Sequence, residues 1–173
     1  MEKREVAAVE IRFERIAAYS ARQLAAEMLA EAGKTTPEDI RFYTGENGRP
    51  LCRLPLHFNC SHSGAYVVCA VSEREVGVDL ERVRPVHERL LRTLTAEEKI
   101  WLSTRPEGDR DRAFFQLWTM KESWIKCHGG TLMEYRRCNF CDENGRLMTH
   151  WEGCRFIFPS APEGYVLTVC EKE

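Results

Sequence analysis

Apolar and polar positions along the chain switch between two periods. Residues 14–32, ERIAAYSARQLAAEMLAEA, are Ala-rich and end before Gly33, which predicts a helix. DIRFYT (39–44) predicts a short strand, and GENGRP (45–50) a turn carrying Gly45, Gly48 and Pro50. HFNCSHSGAYVVCAVS (57–72) holds two extended runs divided by Gly64. In EVGVDLERV (75–83), Val76, Val78 and Leu80 alternate with Gly77, Asp79 and Glu81, the period of a half-buried strand. Pro85 breaks that run. Residues 87–103 predict one or two helices, with Thr95 as N-cap and Glu98 completing a capping box. RPEGD (105–109) is a loop, and a long helix is expected over 110–128, stopped by Gly129-Gly130. Strands are expected near 137–142, 146–151, 154–158 and 165–171. This order suits an α+β architecture of two lobes, 1–84 and 85–173, with the break near Arg84-Pro85.

The long helix carries the first hint of chemistry. Projected at about 100° per residue, Phe114, Leu117, Trp124 and Ile125 form a broad apolar arc. Thr119, Glu122, Ser123 and Lys126 form a narrow polar stripe opposite, narrower than a solvated face. Such a stripe points to a cleft, although a plain Glu122–Lys126 surface pair fits the same spacing. Lys121 projects into the apolar arc, where an ammonium must find a partner, so a structural ion pair is expected there. Leu90, Leu91 and Leu94 could face a protein partner or join the core.

Composition narrows the function classes. Twenty-five Lys and Arg stand against 27 Asp and Glu in 173 residues, which argues against a nucleic-acid binder working through a basic patch. No run approaches the ~20 apolar residues of a membrane span. MEKREVAAVEIRFER has no uninterrupted apolar core, so no secretory signal is read and a cytoplasmic location is expected. The eight cysteines sit mostly in apolar runs such as VVCAV and VLTVC, as small hydrophobes do. Cys138-x-x-Cys141 with His150 and Cys154 has the donor types of a zinc set. Residues three apart on a strand diverge, however, so neither zinc nor a disulfide is expected.

Asp79 and Glu81 leave one face of their strand, with Cα atoms about 6.5–7 Å apart. Paired carboxylates of this kind suit Mg²⁺, although they equally fit a solvated face. Glu122 offers a third carboxylate, and Lys126 could meet phosphate as a point charge. Ser61, His62 and Ser63, followed by Gly64, could hold phosphate or form a self-satisfied turn. Together these parts describe Mg²⁺-assisted transfer of a phosphate-linked group.

These stretches resemble a known family. VGVDLE (76–81) and WTMKESWIK (118–126) are similar to the paired signature of the 4′-phosphopantetheinyl transferases of the Sfp type. FNCSHSG (58–64), NGRP (47–50) and IRF (40–42) match further motifs of that family. The resemblance implies transfer of the 4′-phosphopantetheine arm of coenzyme A to a serine of an acyl or peptidyl carrier protein, with Mg²⁺. It implies two similar α/β lobes, related by a pseudo-twofold, with the coenzyme in the cleft between them. Asp79, Glu81 and Glu122 match the metal carboxylates, and Glu122 also the general base. Lys126 matches the lysine near the pyrophosphate, while Ser61 and His62 match contacts to coenzyme A phosphate. Gly48, Arg49 and Pro50 match the turn beside the adenine, with Arg49 in place of the usual lysine.

The chain departs from the family at its start. The first strand of the N-terminal lobe and its basic residues are expected to be missing, with Arg22 the nearest substitute for a 3′-phosphate contact. The expectation is a monomeric enzyme that acts on coenzyme A and a carrier protein, with no nucleic-acid or membrane partner. The alternative is a coenzyme A or carrier-protein binding module that has lost catalysis, and the retained carboxylates count against it.

Overall fold

In the computed structural model, which describes residues 9–173, the first helix begins later than its Ala-rich run implies. Residues 14–20 are the end of a strand and a turn. The strand β1 (Glu10–Arg15), expected to be missing, is present and pairs antiparallel with β5 along its whole length. Its alternation explains this: Ile11 and Phe13 turn to an apolar cluster between strands. Helix α1 (Ala21–Gly33) starts where Ser20 closes a capping box with Gln23, and its C-cap Lys34 is left-handed. Then follow β2 (Phe42–Thr44), β3 (Pro50–Cys52), β4 (His57–Ser63), β5 (Tyr66–Ser72) and β6 (Val76–Arg82). Helices α2 (Ala96–Ser103) and α3 (Arg110–His128) precede β7 (His150–Trp151), β8 (Cys154–Ile157) and β9 (Tyr165–Lys172). Among the described residues no helix is long and apolar enough to cross a membrane.

The strands form antiparallel sheets in the orders β1-β5-β4, β2-β3 and β6-β9-β8-β7, so the fold is α+β. Alternate residues of β5 face different cores. Val67, Cys69 and Val71 pack under α1, whereas Val68 and Ala70 meet Val76, Val78 and Leu80 of β6. β6 is therefore buried on both faces from Val76 to Leu80, not on one as its alternation implied. It faces β5 with its apolar set and α3 with Gly77 and Asp79.

Gly77 is where α3 meets the sheet. A Cβ there would lie 2.0 Å from Ser123 O and 2.5 Å from Cys127 N. Only a residue without a side chain lets the helix backbone come this close to a strand. The free edge of β6 is covered by β4 through side chains: Asn59 Oδ1, Ser61 Oγ and Ser63 Oγ accept the N–H groups of Val78, Leu80 and Arg82 at 2.9, 3.3 and 3.0 Å. The boundary expected near Pro85 thus follows a strand whose backbone ladder runs to β9.

Thr95 and Glu98 close the expected capping box of α2, and Leu94 is core with Leu90 and Leu91 packed against it. Lys121 is wholly buried and has the ion-pair partner its position demanded. Its ammonium donates to Glu98 Oε2 at 2.8 Å, Tyr135 O at 2.8 Å and Cys138 O at 2.5 Å. Glu98 Oε1 in turn accepts the Phe140 N–H at 3.1 Å. This network explains why no strand forms over 137–142: backbone groups that a ladder would use are bound to the ion pair. The expected 146–151 strand shrinks to β7 and an isolated Cys141–Leu147 bridge beside the expected DENG turn.

Removing one partner of a buried pair leaves the other charge uncompensated. Lys121→Met is expected to cost about 3–5 kcal/mol in urea unfolding. A loss under about 1 kcal/mol would refute the structural role of the pair. Gly77→Ala is expected to cost about 1–3 kcal/mol or more, because helix or strand must shift.

Candidate active site

The acidic centre lies where β6, β4 and α3 meet. Asp79 points from β6 toward α3 and is 4% exposed. Its Oδ1 accepts from Lys126 Nζ at 2.7 Å and Ser61 Oγ at 2.9 Å. Its Oδ2 is buried and has no hydrogen-bond partner. Burial pushes the Asp79 carboxyl above the usual carboxylate range, against the pull of Lys126. Lys126 Nζ also donates to Ser61 Oγ and Val78 O, both at 3.2 Å.

Glu81, two residues along, is held by Ser63 Oγ at 3.1 Å and Arg84 at 3.0 Å. Glu122 is half-buried on α3 and accepts a hydrogen bond from the Tyr135 hydroxyl. Burial first, then the negative charge of Asp79, push its carboxyl up to about 7, while Lys126 pulls it down. The polar stripe of α3 is divided. Thr119 is buried and bonds Thr168 at 2.8 Å, and buried Ser123 bonds back to Met120 O, so both lie away from any opening. Glu122 and Lys126 alone remain partly accessible.

The residues expected to meet a coenzyme divide between two faces. Ser61 and His62 are neighbours on β4 rather than parts of a turn, so their side chains diverge. The Ser61 hydroxyl is fully committed to Asp79, Leu80 N and Lys126. His62 is exposed and shares its face with Phe58 and Cys60. Gly48, Arg49 and Pro50 join Asn59, Lys126 and Gly129 around a cleft of about 180 Å³. Arg49 is anchored there, donating to Cys127 O at 3.0 Å and Val76 O at 3.3 Å. Pro50 also borders an almost wholly apolar pocket of about 220 Å³ with Arg22, Phe42 and Phe58. The Arg22 guanidinium sits 4.6 Å from the centre of the Phe42 ring.

Sequence reasoning missed Tyr135, Asn59 and Arg84, and read Ser63 as a phosphate holder or turn residue, whereas it bonds Glu81 and Arg82 N. Lys121 and Glu122 grip Tyr135 at its carbonyl and its hydroxyl, and its ring stacks on Trp118 with centroids 5.0 Å apart. It follows α3 through an irregular turn, where no periodicity marks it. The role of Asn59 was legible only as an alternate position of a strand.

The zinc set considered for Cys138, Cys141, His150 and Cys154 is not assembled among the described residues. Cys138 and Cys141 are buried, and burial pushes both thiols up to about 12. His150 is exposed beside Glu173 at 3.3 Å.

The carboxylates and Lys126 make a charged centre with one vacant buried acceptor, the donor chemistry of a hard divalent cation. Asp79, Glu81 and Glu122 offer oxygen ligands for such a cation, one of them unpartnered, and the charges of Asp79 and Glu81 act on Glu122, but their oxygens do not all lie within 4.8 Å of one another. An acidic centre between helix and strand, with a lysine beside it, has the side chains that metal-assisted group transfer would use. Comparison with known proteins is more specific. Residues 75–170 match the family model of the 4′-phosphopantetheinyl transferase superfamily. The chain is 41% identical over 93 residues to the 4′-phosphopantetheinyl transferase gsp of Aneurinibacillus migulanus, covering 53% of this chain and 39% of the relative. It is 36% identical over 146 residues to psf-1 of Bacillus pumilus, covering 79% of this chain and 62% of the relative. To ffp of Bacillus subtilis it is 35% identical over 156 residues, covering 85% of this chain and 70% of the relative. The chain belongs to the 4′-phosphopantetheinyl transferase superfamily. It spans less than two thirds of the length of gsp and psf-1.

The raised Glu122 carboxyl makes stability depend on pH. Between its ordinary 4.5 and about 7, the folded, metal-free protein holds a proton that the unfolded chain has released. Stability from this group therefore falls as pH rises through that window. Glu122→Gln stays neutral throughout. It should gain on the wild type by on the order of 1–2 kcal/mol near pH 8, after allowance for solvent screening, and by nothing near pH 4. Urea unfolding with chelator present measures both, and an equal gap at the two pH values would refute the linkage.

Proposed function

We propose that this protein transfers the 4′-phosphopantetheine group of coenzyme A to a serine hydroxyl of an apo acyl or peptidyl carrier protein, releasing adenosine 3′,5′-bisphosphate. Membership of the superfamily supports the reaction class. The observation that carries the site assignment is the Asp79–Lys126–Ser61 cluster with Asp79 Oδ2 unpartnered and Glu122 beside it.

In this reading Asp79, Glu81 and Glu122 hold Mg²⁺. Bound there, the ion supplies charge neutralisation on the pyrophosphate under attack. Ser61 orients Asp79, and Ser63 orients Glu81. Glu122 accepts the proton of the carrier serine through its carboxylate. Lys126 borders both Asp79 and the cleft at Gly48, Arg49 and Pro50, so its ammonium can turn from carboxylate to pyrophosphate as charge develops on the leaving group. The coenzyme would run from that cleft past Pro50 toward Arg22 and His62, which carry the positive or protonatable groups on the other face. The framework would be two similar lobes, with the division along the β4–β6 seam rather than at Pro85, working as a cytoplasmic monomer.

Mass spectrometry of an apo carrier protein incubated with coenzyme A, Mg²⁺ and this protein tests the reaction. A gain of the phosphopantetheine mass is expected, and coenzyme binding without that gain would favour the catalytically silent binding module. Asp79→Ala is expected to abolish turnover, and Glu122→Gln to lower kcat at least ~100-fold. Wild-type turnover by either variant at saturating Mg²⁺ would refute the carboxylate assignment. A phosphate contact that is equal in ground and transition states changes KM alone. His62→Ala is therefore expected to raise the KM for coenzyme A about ten- to hundredfold with kcat nearly unchanged. A collapse of kcat would instead make His62 the base.

A further inference from the structure

The C-terminal end of α3 builds a second cluster of ligand-type side chains that the group-transfer reading does not use. Cys127 Sγ, a ring nitrogen of His128 and Cys154 Sγ lie within 4.8 Å of one another. Cys170 on β9 projects to the same face, with its sulfur outside that group. Three elements contribute: α3, β8 and β9. Cys154 and Cys170 sit diagonally on adjacent strands, opposite Lys172 and Phe156 in the register, and so project to the same face. The approach of α3 at Gly77, which pairs with Cys170, brings Cys127 onto that face.

We propose that Cys127, His128 and Cys154 hold one Zn²⁺ as a structural site, with Cys170, which projects to the same face, drawn in on binding to complete three thiolates and one imidazole. The donor set and number are those of closed tetrahedral zinc sites. His128 Nε2 stands 3.8 Å from Cys154 Sγ. Two ligands on one tetrahedral zinc, with Zn–S about 2.3 Å and Zn–N about 2.0 Å, stand about 3.6 Å apart. His128 is also oriented as a metal-bound histidine is. Its Nδ1 donates to Trp124 O at 3.0 Å, which leaves the Nε2 lone pair directed at the thiols. The ring is exposed and gives the ion a way in, while Cys127, Cys154 and Cys170 are buried. The charges of Arg49 and Lys172 act on the cluster and would offset the net negative charge of a three-thiolate zinc site.

Binding replaces the S–H protons by Zn–S bonds and releases those protons to solvent, with no change in oxidation state. The expectation that no cysteine binds metal rested on the CNFC spacing. The fold assembles a different set, drawn from positions far apart in sequence. A metal there would fasten the helix end beside Lys126 to β8 and β9.

The test uses the full chain, reduced and anaerobic. Elemental analysis of protein purified without chelator should find one zinc per chain. Titration of metal-free protein with Co²⁺ should saturate at one equivalent, with intense tetrahedral d–d bands and a thiolate charge-transfer band. His128→Gln, at an exposed position, should retain the wild-type circular dichroism and lose Co²⁺ affinity by at least about 100-fold, the upper end of what losing an outer-shell partner costs. Cys138→Ser and Cys141→Ser should bind as the wild type does. Absence of a thiolate charge-transfer band at one equivalent of Co²⁺ would overturn the proposal. So would undiminished binding by His128→Gln, or loss of binding in either control variant.

Discussion

The contact at Gly77 is the constraint on which the rest of the molecule depends. A strand and a helix usually keep their backbones apart by the width of their side chains. Here a Cβ on Gly77 would fall 2.0 Å from a carbonyl oxygen of α3, so the two backbones touch. Everything one turn either way inherits that closeness. Lys126 reaches Asp79 across it at 2.7 Å, Glu122 comes near enough to feel the Asp79 charge, and Cys127 Sγ comes within 4.8 Å of Cys154 Sγ. A wider gap would let water between these groups and weaken each interaction, since charges couple more strongly where water is excluded.

Two further arrangements keep that contact from slipping. On the side of α3 away from β6, the buried Lys121–Glu98 pair fixes the helix to α2 and to the chain at 135–140. Such a pair adds little net stability over an apolar one, but its geometry admits few alternatives. On the far edge of β6, Asn59, Ser61 and Ser63 replace a backbone ladder with side-chain acceptors. Ser61 serves two purposes at once, because the hydroxyl that accepts from Leu80 N also donates to Asp79. The seam between the sheets and the orientation of the acidic centre are therefore one hydrogen-bond system.

The acidic centre carries repulsion as part of its design. Asp79 and Glu122 each sit where burial disfavours their charge; the Asp79 charge raises Glu122, and the Glu81 charge raises both. Lys126 relieves Asp79 only at Oδ1. A site of this kind has free energy available for a divalent cation, because the ion removes a penalty already present in the fold. The thiol–imidazole cluster one residue along α3 differs in kind: soft donors, fully buried sulfurs and a histidine oriented by its own helix. Hard and soft donor sets are thereby segregated on the two sides of one helix end.

Local pattern was enough for several features. The span of α3 and its stop at Gly129, the Thr95–Glu98 capping box, the β4–β5 hairpin and the pairing of Asp79 with Glu81 on one strand face all follow from periodicity and cap chemistry within a few residues. Lys121 was legible as an ion pair because an ammonium in an apolar arc has no other stable state, although its partner Glu98 lies on another helix. The motifs at 58–64, 76–81 and 118–126 were enough to indicate the superfamily. Tertiary structure decided what local pattern cannot carry. Residues 10–15 became a strand, taking the first residues of the run expected to be helical from 14, because β5 offered an edge to pair with. Residues 137–142 lost their strand because the buried ion pair claimed their backbone. Ser61 and His62 were separated onto two faces, and Tyr135 was brought to Glu122 by a turn without a period. Cys127, His128 and Cys154 met because a helix and a sheet converge at a glycine. Contacts between segments distant in the chain depend on how whole elements stack, and no local spacing records that.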